Sequence, residues 1–175
     1  FYEFYVCNDL VPRKNIIYYD GSSHMHDPEK VIKNVTARRL VVDHGRFTVI
    51  VGTGGLGKSM MMRHLMLDAL KTYSEDNKVL PAFVILKDYN PEKASLLEYI
   101  FSQIEQYNWN MELSDLTEMM KQGNVLLLLD GLDEIKAKYR DKFDDELNKL
   151  SEKYQTCAYV LSSRPIGSFG EFKQD

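Results

Sequence analysis

Apolar residues fall along this chain in two alternating kinds of run, and that alternation is the first limit on its architecture. Phe47–Val51, Pro81–Leu86, Val125–Leu129 and Ala158–Leu161 are short runs of aliphatic and β-branched residues, which predict strands. Between them the apolar positions are spaced for helices. Lys58 to about Tyr73 predicts a helix with Arg63, His64, Asp68 and Lys71 in one polar arc and methionines and leucines covering the rest. Asn90 is expected to cap a helix that begins at Pro91 and carries Leu96, Leu97, Ile100, Phe101 and Ile104. Ser114 and Gly123 bracket a shorter helix, and Phe143, Leu147, Leu150 and Tyr154 mark another. Val125–Leu129 shows no polar alternation, as expected of a strand covered on both faces. Strands alternating with helices predict βαβ units, hence an α/β fold with a mainly parallel sheet between helices.

The first forty-odd residues are less regular. Phe1–Leu10 and Ile16–Tyr19 are aromatic and β-branched and predict short strands or extended segments, with a loop from Asp20 to His24. Asp27 reads as an N-cap and Pro28 as a first helical residue, with Val31, Ile32, Val35 and Leu40 on the apolar face. Residues 1–44 are therefore expected to form a flanking segment whose helix packs on a core of residues 45–175.

Composition adds exclusions. The chain has 175 residues, 44% apolar and 27% charged, which fits one globular domain, and no apolar run is long enough to span a bilayer. A formal charge of −4 argues against a dominant nucleic-acid-binding face, with Arg38-Arg39 as a local basic exception. Cys7 and Cys157 are too few and too far apart for a disulfide framework, and Cys157 sits in an apolar pattern that predicts a buried thiol. His24 and His26 have no neighbours to complete a metal ligand set. The chain begins with Phe1 and shows no secretion signal, so it is expected to be a piece of a longer cytoplasmic protein.

Three stations carry the chemistry. Gly52, Thr53, Gly54, Gly55, Leu56, Gly57, Lys58 and Ser59 spell G-x-x-x-x-G-K-S/T between a predicted strand and a predicted helix, with Met60 next on the helix. Such a loop turns backbone N–H groups around a phosphate; Lys58 reaches the terminal phosphates of a nucleoside triphosphate and the Ser59 hydroxyl ligates Mg²⁺. A glycine-rich turn without a ligand is the alternative, and the strand and helix on either side weigh against it. Asp130 ends an apolar strand, where an acid can hold Mg²⁺. Asp133 and Glu134 follow one turn later, and either can orient or deprotonate an attacking water; Glu134 is favoured, with Asp133 as an orienting or Mg²⁺-shell group. Arg164, after the fourth core strand, can report on γ-phosphate charge or be an ordinary surface residue.

GTGGLGKS at Gly52–Ser59, LLLLDGLDE at Leu126–Glu134 and SSRP at Ser162–Pro165 together resemble the NACHT domain of the signalling (STAND) branch of P-loop NTPases. Gly131 between Asp130 and the later acidic pair is the discriminating detail. The resemblance implies a three-layer α/β/α sandwich with an AAA+-like core, cut short before a lid and winged helix. It implies ATP or ADP at Gly52–Ser59, Mg²⁺ at Ser59 and Asp130, and Arg164 as a sensor. It further implies a nucleotide-dependent switch for self-association, hydrolysing slowly, with effector and sensor domains elsewhere in the same protein. Main-chain groups near Arg39–Val42 are the candidates for adenine. The rival functions are a housekeeping P-loop ATPase or kinase and a nucleotide-binding module without hydrolysis. No arginine cluster of a kinase lid and no Asn/Thr-Lys-x-Asp base-reading motif is present.

Overall fold

Leu126, Leu127, Leu128 and Leu129 are at most 2% exposed, because the strand that carries them has helices against both of its faces. Each leucine buried this completely contributes roughly 1.5–3 kcal/mol. In the computed structural model the chain is described at residues 10–13, 16–19, 35–74, 77–107 and 110–165. The strands are β1 Leu10–Arg13, β2 Ile16–Tyr19, β3 Phe47–Val51, β4 Leu80–Ile85, β5 Val125–Asp130 and β6 Ala158–Ser163. The helices are α1 Ala37–His44, α2 Lys58–Lys71, α3 Leu96–Glu105, α4 Leu113–Lys121 and α5 Arg140–Lys153. The sheet order is β1-β2-β3-β6-β5-β4, and every neighbouring pair is parallel except β1 with β2. This is the expected α/β fold.

The two faces have separate cores. Ile50, Leu126, Leu128 and Val160 meet Leu40 of α1 and Met61, Met62 and Leu65 of α2. Val49, Leu127, Leu129 and Leu161 meet Ile100 of α3, Leu116 and Met120 of α4, and Phe143 and Leu147 of α5. Met61 and Met62 of α2 thus fill a core, with Met66 packed against it. Register decides where the chain leaves the sheet: Val51 lies beside Ser163, Leu129 beside Leu161 and Ile85 beside Asp130. Gly52, Gly131 and Arg164 therefore emerge at one end.

Several boundaries differ from expectation for local reasons. α3 starts at Leu96, not Pro91: Asn90 accepts the Glu92 N–H in a separate turn, and Ser95 with Glu98 forms the capping box. α4 starts before Ser114, because the Asp115 carboxylate accepts the Glu112 N–H at 2.8 Å. A helix running unbroken from Pro28 to Leu40 does not form. Thr36 is extended and caps a new helix by accepting the Arg39 N–H at 3.1 Å. β6 continues through Ser162 and Ser163, two polar residues that the apolar pattern of Ala158–Leu161 leaves out. In the polar arc of α2, His64 and Asp68 face α1: Nε2 of His64 lies 2.9 Å from the Val35 carbonyl, and Asp68 accepts the Ala37 N–H at 3.0 Å. Cys157 is buried and free, and burial pushes its thiol up to about 11. Phe1 to Asp9, the loop from Asp20, the Asp27–Pro28 helix start, Cys7, His24 and His26 lie outside the described residues. Among the described residues no helix is long and apolar enough to cross a membrane.

The end of α4 is held by a close approach. Gly123 has φ +76° and Asn124 N–H returns to the Met119 carbonyl at 2.9 Å, a Schellman arrangement. A Cβ on Gly123 would stand 2.9 Å from the Thr156 carbonyl oxygen. Gly123→Ala is expected to cost about 1–3 kcal/mol from the left-handed torsion and this contact. A urea unfolding midpoint equal to that of the parent would contradict the close packing of this turn against Thr156.

Candidate nucleotide-binding site

β3 can run into α2 only through a sharp change of direction, and Gly57 supplies it with φ 86° and ψ 24°, a region closed to most side chains. The Gly57 carbonyl then accepts the Met61 N–H at 2.9 Å, the first helical bond of α2. The N–H groups of Lys58, Ser59 and Met60 have no acceptor within the helix, and the positive end of the α2 dipole lies beneath them. Thr53, Gly54, Gly55 and Ser59 are exposed, whereas Leu56, Gly57, Lys58 and Met60 are half-buried and Gly52 is buried. The Lys58 ammonium curls over the start of the loop, donating to the carbonyls of Gly52 at 2.7 Å and Thr53 at 3.0 Å. The arrangement is an anion cradle of main-chain donors with a lysine at its rim.

The acidic strand end faces this cradle. Asp130 is 8% exposed as the last residue of β5, and Gly131 turns the chain at φ 85° into a 3₁₀ turn, Leu132–Glu134. Three residues brace that turn. Ser162 bonds both the Asp130 carboxylate and, at 2.9 Å, the Gly131 N–H. Arg140 of α5 donates to the Leu132 carbonyl at 2.6 Å. Asp133 accepts the Arg164 N–H at 2.8 Å through Oδ1 and pairs with Arg164 Nε at 3.2 Å through Oδ2. Asp133 and Glu134, which spacing left open, thus have different surroundings. Both Asp133 oxygens are engaged, whereas Glu134 is exposed and its carboxylate takes no hydrogen bond from any described residue.

Lys58 feels all of these charges. Partial burial holds its ammonium below the ordinary lysine value; Asp133 opposes that shift, Arg164 adds to it, and Asp130 and Glu134 oppose it. Lys58, Asp130, Asp133, Glu134 and Arg164 are therefore gathered at one end of the sheet, although they come from three separate stretches of sequence. Arg164 also lies beside the loop, with its Cζ 3.8 Å from where a Cβ on Gly54 would stand.

The family model described as NACHT domain matches residues 46–171. The chain belongs to the NACHT family. A NACHT domain is a P-loop NTPase domain, so nucleotide binding follows for this one as it does for the family. No curated protein matches the chain.

Arg39–Val42, the segment expected near adenine, lies on α1. Val41 and Val42 line a cleft of about 640 Å³ with Ala69, Thr72, Asn77 and Val79, beyond the far end of α2. That helix has 14 residues and so runs roughly 21 Å away from Lys58. The residue missed is Ser162. Its signal was two consecutive serines closing an apolar strand, where burial obliges a hydroxyl to find a partner.

Because Asp133 is the leading favourable charge on Lys58, Asp133→Asn is expected to lower the Lys58 pKa further. The sign follows from removing a negative charge that favours the ammonium form. An NMR titration of the lysine Cε resonance reads it; an unchanged or raised Lys58 pKa would show that the Asp133 charge does not act there.

Proposed function

We propose that this NACHT domain binds ATP with Mg²⁺, hydrolyses it slowly, and acts as a nucleotide-dependent switch for self-assembly in a cytoplasmic signalling or defence protein. The observation that carries the reading is the gathering of Asp130, Asp133, Glu134 and Arg164 around Lys58 at the mouth of the Gly52–Ser59 loop. A structural turn has no use for five charged groups in one place.

The residues divide the work. N–H groups of the loop and of Lys58, Ser59 and Met60 bind phosphate oxygens, and Lys58 exchanges its carbonyl partners for the terminal phosphates. The donor set suits Mg²⁺: Ser59 offers a hydroxyl and Asp130 a carboxylate, both hard oxygens. Among the described residues no cluster of three His, Cys, Asp or Glu could hold a metal alone. Two protein oxygens completed by phosphates and water are the usual way this cation is bound. When bound, Mg²⁺ supplies positive charge to the phosphate oxygens. Glu134 accepts the proton of the attacking water, since its carboxylate is the uncommitted one. Arg164 rests on Asp133 through Nε and keeps its Nη groups for the γ-phosphate, so the balance between the two partners makes its position depend on which nucleotide is bound. Self-assembly follows in this reading from that change at the exposed Arg164, just beyond β6.

Lys58→Ala is expected to abolish binding of labelled ATP, because it removes the cation at the rim of the cradle. Undiminished binding would remove the loop from the site. Glu134→Gln in the intact protein is expected to retain ATP while turnover falls by about 10²–10⁴. If parent and variant release phosphate at equal rates, Glu134 is not the base, and a parent that releases none is a binding module without hydrolysis.

A further inference from the structure

Ser162 has no role in the scheme above, yet it is among the most completely enclosed polar residues of the site. It lies on β6 and is 1% exposed. Its hydroxyl meets two groups of the acidic strand end at once: Gly131 N–H donates to Oγ at 2.9 Å, and Oγ donates to Asp130 Oδ1. The direction of this chain follows from the inventory of protons. An amide N–H only donates, so the Gly131 contact uses an Oγ lone pair. A hydroxyl has a single proton, and that proton is left for the carboxylate. Asp130 must therefore accept at Oδ1, and Oδ2 is the oxygen remaining for another partner.

The backbone on both sides of this contact is fixed by the sheet. Asp130 is paired with Ile85 of β4, and Ser162 with Ile50 of β3. Neither residue can shift along its strand without breaking register, so the hydroxyl and the carboxylate are held opposite one another by two neighbouring strands. Ser163 is the contrast. Its hydroxyl donates to the Arg164 carbonyl at 2.8 Å and takes no part in the acidic strand end.

We infer that Ser162 is a positioning residue for the Asp130 carboxylate, committing one oxygen so that the other is presented to the divalent cation of a bound nucleotide. This rests on the nucleotide reading proposed above. A hydrogen bond behind a metal-binding carboxylate fixes its rotamer before the cation arrives, and its loss commonly weakens metal binding by about 10–100-fold. The effect is expected at the cation alone, because the hydrogen bonds of the Ser162 hydroxyl among the described residues go to Asp130 and Gly131 and none goes to the loop or Lys58.

The test is binding of a fluorescent ATP analogue to the 175-residue chain, in EDTA and across a MgCl₂ titration. Parent, Ser162→Ala, Ser162→Cys and Ser163→Ala are compared, with thermal melts of each. Ser162→Ala is expected to need about 10-fold more MgCl₂ for the same tightening, with its affinity in EDTA unchanged within about twofold. Ser162→Cys, which keeps the shape but donates weakly, should fall between, and Ser163→Ala should follow the parent. A Ser162→Ala titration superimposed on the parent's overturns the inference. So does an equal loss in EDTA and MgCl₂, which marks a merely structural serine, or a Ser163→Ala shift as large as that of Ser162→Ala. If Ser162→Ala does not melt cooperatively, Ser162→Cys decides by the same criteria. A parent that binds no ATP in either condition overturns the nucleotide reading itself, and the role of Ser162 with it.

Discussion

β6 lies between β3 and β5, and its last two residues together with Arg164, which follows it, join everything that gathers there. Ser163 accepts the Gly52 N–H through its carbonyl at 3.1 Å, Ser162 bonds Asp130 and Gly131, and Arg164 bonds Asp133. The loop after β3 and the turn after β5 make these contacts with β6, not across it to each other. A parallel sheet makes this possible, because neighbouring strands end on the same side and in register. Ser162 and Ser163 can be polar inside the sheet because each hydroxyl finds a hydrogen-bond partner; buried and unpartnered, each would cost about 1–3 kcal/mol.

The sheet behind that end is rigid for an independent reason. Both faces of its β3–β6 part are packed, so none of these strands can slide without moving side chains of a core. Polar pins add to this at the surface. Glu146 of α5 accepts the Tyr89 hydroxyl at 3.0 Å and the Leu96 N–H at 2.5 Å, fixing the turn between β4 and α3. The exposed parts of the site are Thr53, Gly54, Gly55, Ser59, Glu134 and the Arg164 side chain. Stability is concentrated beneath the site and freedom at its rim, as binding loops require.

Most of the fold was legible in the chain because its signals are local and redundant. A strand such as Val125–Leu129 declares two covered faces by itself, and Gly52–Ser59 is a motif whose neighbours confirm it. What could not be read was contact between distant segments. Nothing near Asp133 says that both of its oxygens go to Arg164, so the different surroundings of Asp133 and Glu134 could not be read from their spacing. Ser162 looks like the start of a loop until its pairing with Ile50 places it in the sheet. Asn90 and Ser95 are both good caps, and the choice fell to Ser95, which Glu98 reinforces three residues later. Thr36 interrupts the helix expected from Pro28, and its neighbours Val35 and Ala37 find partners on α2 that no local pattern announces.

Those partners have a mechanical consequence. His64 and Asp68 sit on the same helix whose first residues hold the phosphate loop, and they grip the chain where it enters α1. Because an α-helix is stiff along its axis, α2 behaves as a strut with the loop at one end and α1 clamped to its flank. Tension in the chain just before Val35 reaches that strut directly through two hydrogen bonds, so the start of α1 and the Gly52–Ser59 loop ride on the same rigid body.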